Sequence, residues 1–393
     1  MAIQKLSYWQ STGLLRFDRN DIVRSCALYN VFSSLFLRRF FPKPAPPIFL
    51  SLIKASIFPT GWPTPSVRLD FQRISDTGFD NVRLPVKPEL LSGDFTEVDN
   101  AIRLAFASQL NVVLDLHPSE QYKQQIENDS VHEQALISLW INVARHYKNV
   151  PSKQLVFELL NEPQYYGHEE QYNELAAKLV AAIRQVDKNR FLILGAPRGS
   201  SLEGLLKLQP LSDLNIIYAF HFYEPLMITH EGIHRGFDKL MLRYFHDVPY
   251  LASRVNQQDA GFYAGAAPNP AQAQAELDIY VGAGWDKEHI AERLQIAKDW
   301  ADAHKVKIIC GEFGVLRNHI DAASRYRWIR DVREALETDH IGWQIWDYTD
   351  LNGITRLEGE TRKDKVDGSV RLVNPEKDTR IIENAAIKAL GLD

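Results

Sequence analysis

"VFELLNEPQ", residues 156–164, decides how the rest of the chain is read. Val156 to Leu160 are apolar or acidic and read as a short strand, and Pro163 stops it because proline has no N–H to give to a sheet. The strand therefore ends on Asn161 and Glu162, an amide beside a carboxylate. Apolar runs without alternation belong to strands covered on both faces, so a buried strand that finishes by presenting a charge calls for a reason.

Outward from this stretch the same pattern recurs. From residue 48 onward, short apolar runs alternate with longer stretches of helical period. Strands are predicted at 49–57, 81–86, 111–117, 154–160, 190–195, 215–222, 307–313 and 342–346. Between them lie amphipathic segments at 66–77, 97–109, 131–148, 168–187, 286–304 and 321–338, with a weaker helix near 200–207 and a closing one at 379–390. Such alternation implies parallel pairing through right-handed crossovers. Eight units predict an α/β fold, a (β/α)8 TIM barrel spanning 48–393. An open doubly wound sheet would carry a glycine-rich phosphate loop after its first strand, and "SIFPTGWPTP" (56–65) is no such loop. Residues 223–285, after the sixth predicted strand, are too long and turn-rich for an ordinary connection and are expected to shape a cleft.

Composition narrows the partners. With 45 basic against 50 acidic side chains and a net charge of -5, the chain has no electrostatic reason to bind nucleic acid or an anionic membrane. A neutral small molecule or polymer suits it better. Cys26 and Cys310 lie at opposite ends of the chain and support neither a disulfide framework nor a cysteine zinc site; Cys310 reads as a small core residue. Residues 1–47, with "IVRSCALYNVFSSLFLRRFF" followed by "PKPAPP", read either as a helix packed outside the main domain or as a membrane-surface or targeting extension. The ordered parts of a secretory signal are not found there, and no run of about 18 uncharged apolar residues predicts a membrane-spanning helix.

Barrel enzymes take their catalytic groups from the carboxyl ends of strands. Here those ends deliver Arg83, His117, Asn161 with Glu162, His221 with Tyr223, Glu312, and Trp346. Singly, each has an ordinary explanation as a solvated loop carboxylate, a core histidine, a salt-bridge arginine or a packed aromatic. Their occurrence in order along the strand ends has none. Two glutamates on one rim can act across one bond: carboxyl groups about 5–5.5 Å apart imply a retaining glycosidase, and about 6.5–9.5 Å an inverting one. Arg83 and Tyr223 are suited to keep Glu312 ionised. Glu162 is expected to be protonated at rest, its pKa raised in part by the charge of Glu312. Asn161 can bond a sugar hydroxyl near the reacting carbon, and Trp346 offers a flat face to a pyranose ring. Trp285 and Trp343 read either as outer sugar platforms or as core. A metal-dependent hydrolase would instead use His117, His221 and a carboxylate, but the paired histidines of an H-x-H strand are missing.

The ordered set resembles glycoside hydrolase family 5, the cellulase-like retaining enzymes. The resemblance covers about residues 48–390 and rests on "GFDNVRLPV", "VVLDLH", "ELLNEP", "FHFYEP", "CGEFG" and "WQIWDY". It implies a (β/α)8 barrel, Glu162 as general acid/base, Glu312 as nucleophile, retention of configuration, and no metal or cofactor. It also implies that Arg83, His117, Asn161, His221, Tyr223 and Trp346 position substrate or set pKa values. The family's glycine-rich, asparagine-containing first turn is replaced by "SIFPTGWP", where Trp62 is a candidate substitute for the lost sugar contacts. "EPLMITHEG" (224–232) is similar to a segment of some bacterial endoglucanase-like members. The substrate implied is a β-linked polysaccharide, with β-1,4-glucan first, β-1,3-glucan or β-mannan as rivals, and a non-catalytic carbohydrate-binding barrel as the alternative of another class. A polysaccharide substrate makes a secreted or periplasmic enzyme the expectation.

Overall fold

Strands form where the unbroken apolar runs predict them. The computed structural model describes residues 65–233, 239–256, 259–349, 351–357 and 380–392. It shows β1 (Asn81–Val86), β2 (Asn111–Leu116), β3 (Leu155–Glu158), β4 (Leu192–Gly195), β5 (Ile216–Phe222), β6 (Lys307–Phe313) and β7 (Gly342–Ile345). They pair in chain order, each parallel to the next, and make a nearly closed barrel ringed by helices, the TIM-barrel architecture. The predicted strand 49–57, the extension 1–47 and Trp62 lie outside the described residues.

Alternation along the strands sorts side chains into two cores. Val82, Leu84, Val112, Leu114 and Phe157 face outward into the large apolar layer beneath the helices. Val113, Val156, Ile193, Ile217, Ala219 and Ile309 form a separate small cluster, the barrel's apolar interior. Strand side chains repeat every second residue, so Asp115 and Glu158 follow Val113 and Val156 on the inner face. Fully or nearly fully buried carboxylates at those positions must be paired with a cation, and that requirement organises the site above them.

The helices carry the expected start signals. Ser119, Asp129, Asp286 and Asp321 each accept a backbone N–H of the following first turn with their side chains. Helix Glu169–Val186 buries Tyr172, Leu175, Ala176, Leu179 and Ile183 along one stripe. Two helices exceed the sequence expectation: Glu120–Asn128 after β2, and Pro270–Ala283 within the 223–285 insertion. Most of the described insertion is short helical turns and this helix, not an open loop. The closing helix is shorter than expected, Asn384–Ala389, and is preceded by β9 (Arg380–Ile382), which pairs antiparallel with β8 (Thr355–Leu357). Trp343 is fully buried and its indole N–H lies 3.3 Å from Glu337 Oε1; Trp285 is buried edge-on to His289. Both are core residues, as is Cys310, whose thiol burial pushes well above its ordinary pKa. Among the described residues no helix is long and apolar enough to cross a membrane.

Two breaks in register lie where the barrel meets the cleft. The β5–β6 pairing shifts between Phe220 and His221, and the β6–β7 pairing between Cys310 and Phe313. Such irregularities re-aim side chains, here those of His221 and Glu312. Gly311 fits this crowding, since a Cβ on it would lie 3.2 Å from His221 Nε2. At Gly314 a Cβ would stand 2.0 Å from the Trp346 carbonyl oxygen, so only glycine lets β6 leave the sheet this close to the end of β7.

Candidate active site

Arg83 is the centre from which the site is built. Its fully buried guanidinium donates Nε and Nη2 to the two oxygens of Glu158 at 2.7 and 2.8 Å, Nη2 to Asn161 Oδ1 at 2.8 Å and Nη1 to Glu312 Oε1 at 2.7 Å. Nη2 also lies 3.0 Å from Asp115 Oδ2. The planar fork of arginine is the one cationic shape that serves so many acceptors in one plane. Burial works against its charge, but Asp115, Glu158 and Glu312 together push its pKa far above the ordinary value, so it is always a cation. Glu158 is pushed up by burial, against the pull of Arg83.

A second chain of bonds fixes the amide. Asp115 Oδ2 accepts from His117 Nδ1 at 2.9 Å, which leaves His117 Nε2 as the acceptor for Asn161 Nδ2 at 3.2 Å. One N–H of the Asn161 amide remains for a ligand. The His117 ring stacks on Trp346, centroids 5.6 Å apart and 13° from parallel, and Arg83 lies 5.8 Å from the same indole.

Glu162 occupies a left-handed backbone conformation, φ +47°, costly for a residue with a Cβ. Lys123 Nζ and Gln164 Nε2 both donate to its carbonyl oxygen, at 3.3 and 3.0 Å, and hold the turn. The turn carries its carboxylate to His221, whose Nδ1 donates to Glu162 Oε1 at 2.9 Å and stands 3.6 Å from Glu312 Oε2. Tyr223 donates to that same Glu312 oxygen at 2.9 Å. Ligand atoms of Glu162, His221 and Glu312 all lie within 4.8 Å of one another. This answers the opening question: strand β3 ends in a charge because the charge faces a second carboxylate across the barrel mouth.

The family that this geometry fits also matches by sequence. The family described as Cellulase (glycosyl hydrolase family 5) matches residues 51–352. The chain belongs to glycosyl hydrolase family 5. It is 29% identical to Endoglucanase 3 of Fibrobacter succinogenes over 304 residues, 71% of this chain and 45% of that protein. It is 28% identical to Endoglucanase C of Acetivibrio thermocellus over 300 residues, 72% of this chain and 84% of that protein. The chain thus spans less than half the length of the first relative and most of the second. A mutant form of Thermotoga maritima Cel5A in complex with cellobiose shares the fold, with a TM-score of 0.64 at 22% identity over 87% of this chain and 96% of that one. This family 5 protein is therefore a glycosyl hydrolase.

Of the residues singled out in the family 5 sequence, the structure brings Arg83, His117, Asn161, Glu162, His221, Tyr223, Glu312 and Trp346 together at one end of the barrel. The proton of the acid pair lies elsewhere than expected. Burial opposes the charge on Glu162, but the His221 hydrogen bond and the positive charges of His221 and Lys123 outweigh it and bring its pKa down to about 2. Burial likewise opposes a charge on His221, and the charge of Glu312 with the bond to Glu162 overcomes it and raises the pKa. These directions favour charge on Glu162 and a proton on His221, the reverse of the expectation that Glu162 rests protonated beside Glu312. The metal reading also fails to assemble: His117 turns its two nitrogens to Asp115 and Asn161, away from the Glu162, His221 and Glu312 group. Both Glu312 oxygens already receive donors, one of them the Arg83 cation.

Sequence reasoning missed Asp115, Glu158, Lys123 and His230. The first two sit inside strands, where "VVLDLH" and "VFELL" display them only as interruptions of an apolar run. Lys123 is buried on a helix that was not predicted. His230, from "EPLMITHEG", meets the Tyr223 ring edge-on at 5.3 Å, and burial drops its pKa to about 4 in spite of Glu162, so it is neutral. Tyr223 itself is pushed far up by burial and by Glu312 and Glu162, which keeps its phenol a hydrogen-bond donor.

Proposed function

We propose that the protein is a retaining endo-β-1,4-glucanase working by double displacement, with Glu312 as nucleophile and Glu162 as acid/base. The observation that carries this is the approach of the two carboxylates to within 4.8 Å, one held by Arg83 and Tyr223 and the other by His221. An approach this close supports the short spacing of retaining enzymes over the wider one of inverting enzymes.

In the first step a Glu312 oxygen bonds to the anomeric carbon, the glycosidic C–O bond breaks, and the leaving oxygen takes a proton from Glu162. That proton is the one stored in the Glu162–His221 pair. As Glu312 attacks it loses its negative charge, the largest influence raising the pKa of His221, so the proton moves across the 2.9 Å contact toward Glu162 as the leaving group needs it. Nucleophile and acid are coupled through one imidazole. In the second step water attacks the anomeric carbon, gives its proton to Glu162, and frees Glu312. The remaining Asn161 N–H is placed for a sugar hydroxyl near the reacting carbon. The preference for β-1,4-glucan is supported by the endoglucanase names of the relatives at 29% and 28% identity. On the same ground we propose that it acts as a secreted or periplasmic enzyme.

The test is reducing-sugar release and viscosity loss on carboxymethyl cellulose, mixed-linkage glucan, laminarin, xylan and mannan. Activity on the first two, with viscosity falling well ahead of reducing ends, is the expected outcome; activity confined to laminarin or mannan transfers the assignment to that polymer. Proton NMR of the first turnovers is expected to show the β-anomer before mutarotation, and early α-anomer sinks the double displacement. A third expectation concerns pH. The pair must keep its single proton, and the group that loses it is His221 with its raised pKa, so the alkaline limb of kcat/KM should lie above the ordinary histidine value of 6.5. His221→Asn should move that limb; an unmoved limb assigns it to another group.

A further inference from the structure

We propose that Tyr166 is a stacking platform for the leaving-side sugars of the glucan chain, the first subsite beyond the point of cleavage. This rests on the reading of the site as a glucanase. Tyr166 follows Glu162 by four residues in the connection from β3 to helix Glu169–Val186, and with 57% of its surface exposed it is among the more open large apolar side chains of the described residues. Its position is built, not incidental. Glu162, Tyr165 and Gly167 in this connection have φ of +47°, +40° and +86°, and Arg198, Gly199 and Ser200 in the connection after β4 have +59°, +66° and +57°.

Left-handed backbone at six residues of these two connections, four of them not glycine, persists only where the surroundings enforce it, and here the two connections brace each other. Arg198 N donates to Gln164 O at 2.8 Å and Gly199 N to Pro163 O at 2.9 Å. Arg198 Nε and Gly167 N both meet Glu169 Oε1. The phenol end lies over the Gly199 backbone, where a Cβ on that glycine would stand 3.5 Å from Tyr166 Oη, and burial there, with the charge of Glu162, pushes the hydroxyl's pKa up. More than half of the side chain is left open to solvent on a connection braced at both ends. A flat apolar face that costs little ordering on binding is what a sugar ring needs from a cleft wall.

Which half of the cleft it serves follows from the chemistry. Glu312, Trp346 and the stacked His117 lie at the ends of β6, β7 and β2, and with Glu312 as nucleophile this side of the mouth is where the sugar that bonds to the enzyme would sit. Glu162 protonates the departing oxygen, so its own connection borders the departing chain.

The experiment compares Tyr166→Ala and Tyr166→Phe with wild type on two substrates, cellohexaose, which has sugars on both sides of the cut, and β-cellobiosyl fluoride, whose leaving group has no ring. Tyr166→Ala is expected to lower kcat/KM on cellohexaose about tenfold, chiefly through KM, to shift the cleavage position, and to leave the fluoride within about twofold; Tyr166→Phe should behave as wild type. Because both substrates are measured on the same protein, a loss of folded fraction cancels in their ratio. Equal effects on the two substrates, or none, overturn the proposal while the glucanase reading stands. If wild type ignores both, that reading falls, and the comparison is repeated with β-1,3-gluco- and β-1,4-manno-oligosaccharides and matching fluorides, since stacking does not depend on linkage. A wild type silent on every series overturns both.

Discussion

Replacement of Glu312 by glutamine is expected to lower turnover by about 10⁴-fold or more, with thermal stability within a few degrees of wild type. The amide keeps the shape of the side chain: its one oxygen can still accept from Arg83 Nη1, and its NH2 then faces Tyr223 Oη, which must turn from donor to acceptor. What is lost is the charge that bonds to the anomeric carbon. Loss of that charge also removes the influence that most raises the pKa of His221, so the variant should release its stored proton at lower pH than wild type. Steady-state rates on the preferred polymer check the first part, and a 2-deoxy-2-fluoro glycoside followed by peptide mapping checks the second claim within it, that Glu312 is the residue labelled. Retention of activity to within a hundredfold of wild type would remove Glu312 from the role of nucleophile.

The second large effect is on stability as well as activity. Arg83→Met leaves Asp115, Glu158 and Glu312 facing one another without their cation, in a space where all are at most 5% exposed. Breaking a buried ion pair from one side costs about 3–5 kcal/mol, and three carboxylates share this one. Urea unfolding at pH 7 should report a loss in that range. The penalty should shrink as the pH falls, because the orphaned carboxyls then take up protons and cease to repel. Arg83→Lys should rescue little, since one ammonium cannot serve both Glu158 oxygens while also reaching Asn161 and Glu312. Combining Arg83→Met with Glu158→Leu should restore part of the stability and none of the activity, because it removes a buried charge but does not re-anchor the nucleophile. A change of under about 1 kcal/mol in Arg83→Met would mean that the buried cluster is relaxed by other means and that Arg83 does not organise the site.

The two variants probe different layers of the same design, and they mark where the sequence is readable. Glu312 stands out in "CGEFG" because it ends an apolar run, as Glu162 does in "ELLNEP"; strand ends in a barrel share one rim, so a polar residue there can be read as facing a ligand. Asp115 and Glu158 are equally polar but sit one layer deeper, inside the runs. Their partner Arg83 is 75 residues from Glu158 along the chain, and nothing local announces that pairing. The same limit explains the misplaced proton. From sequence, Glu162 and Glu312 are two like charges on a rim, and repulsion argues for a protonated acid. In the folded protein His221 stands between them, a consequence of the register shift at Phe220 and His221 and of the space left by Gly311. Tyr166 had no signal at all, because an aromatic residue after a strand is as often core as surface.

The sequence by itself determined the alternation of buried strands and amphipathic helices, hence the barrel, and the identity of the polar residues at the strand ends. It did so because hydrophobic period and chain punctuation are local properties, set within a few residues of one another. Only the tertiary structure decided that Arg83 is ringed by Asp115, Glu158 and Glu312, that His221 bonds Glu162 beside Glu312, and that the 223–285 insertion carries short helical turns and one longer helix where it is described. Those facts depend on distances across the closed barrel, such as the 2.7 Å between groups 229 residues apart at Arg83 and Glu312. Electrostatic energy and pKa follow such through-space distances, and chain order does not contain them.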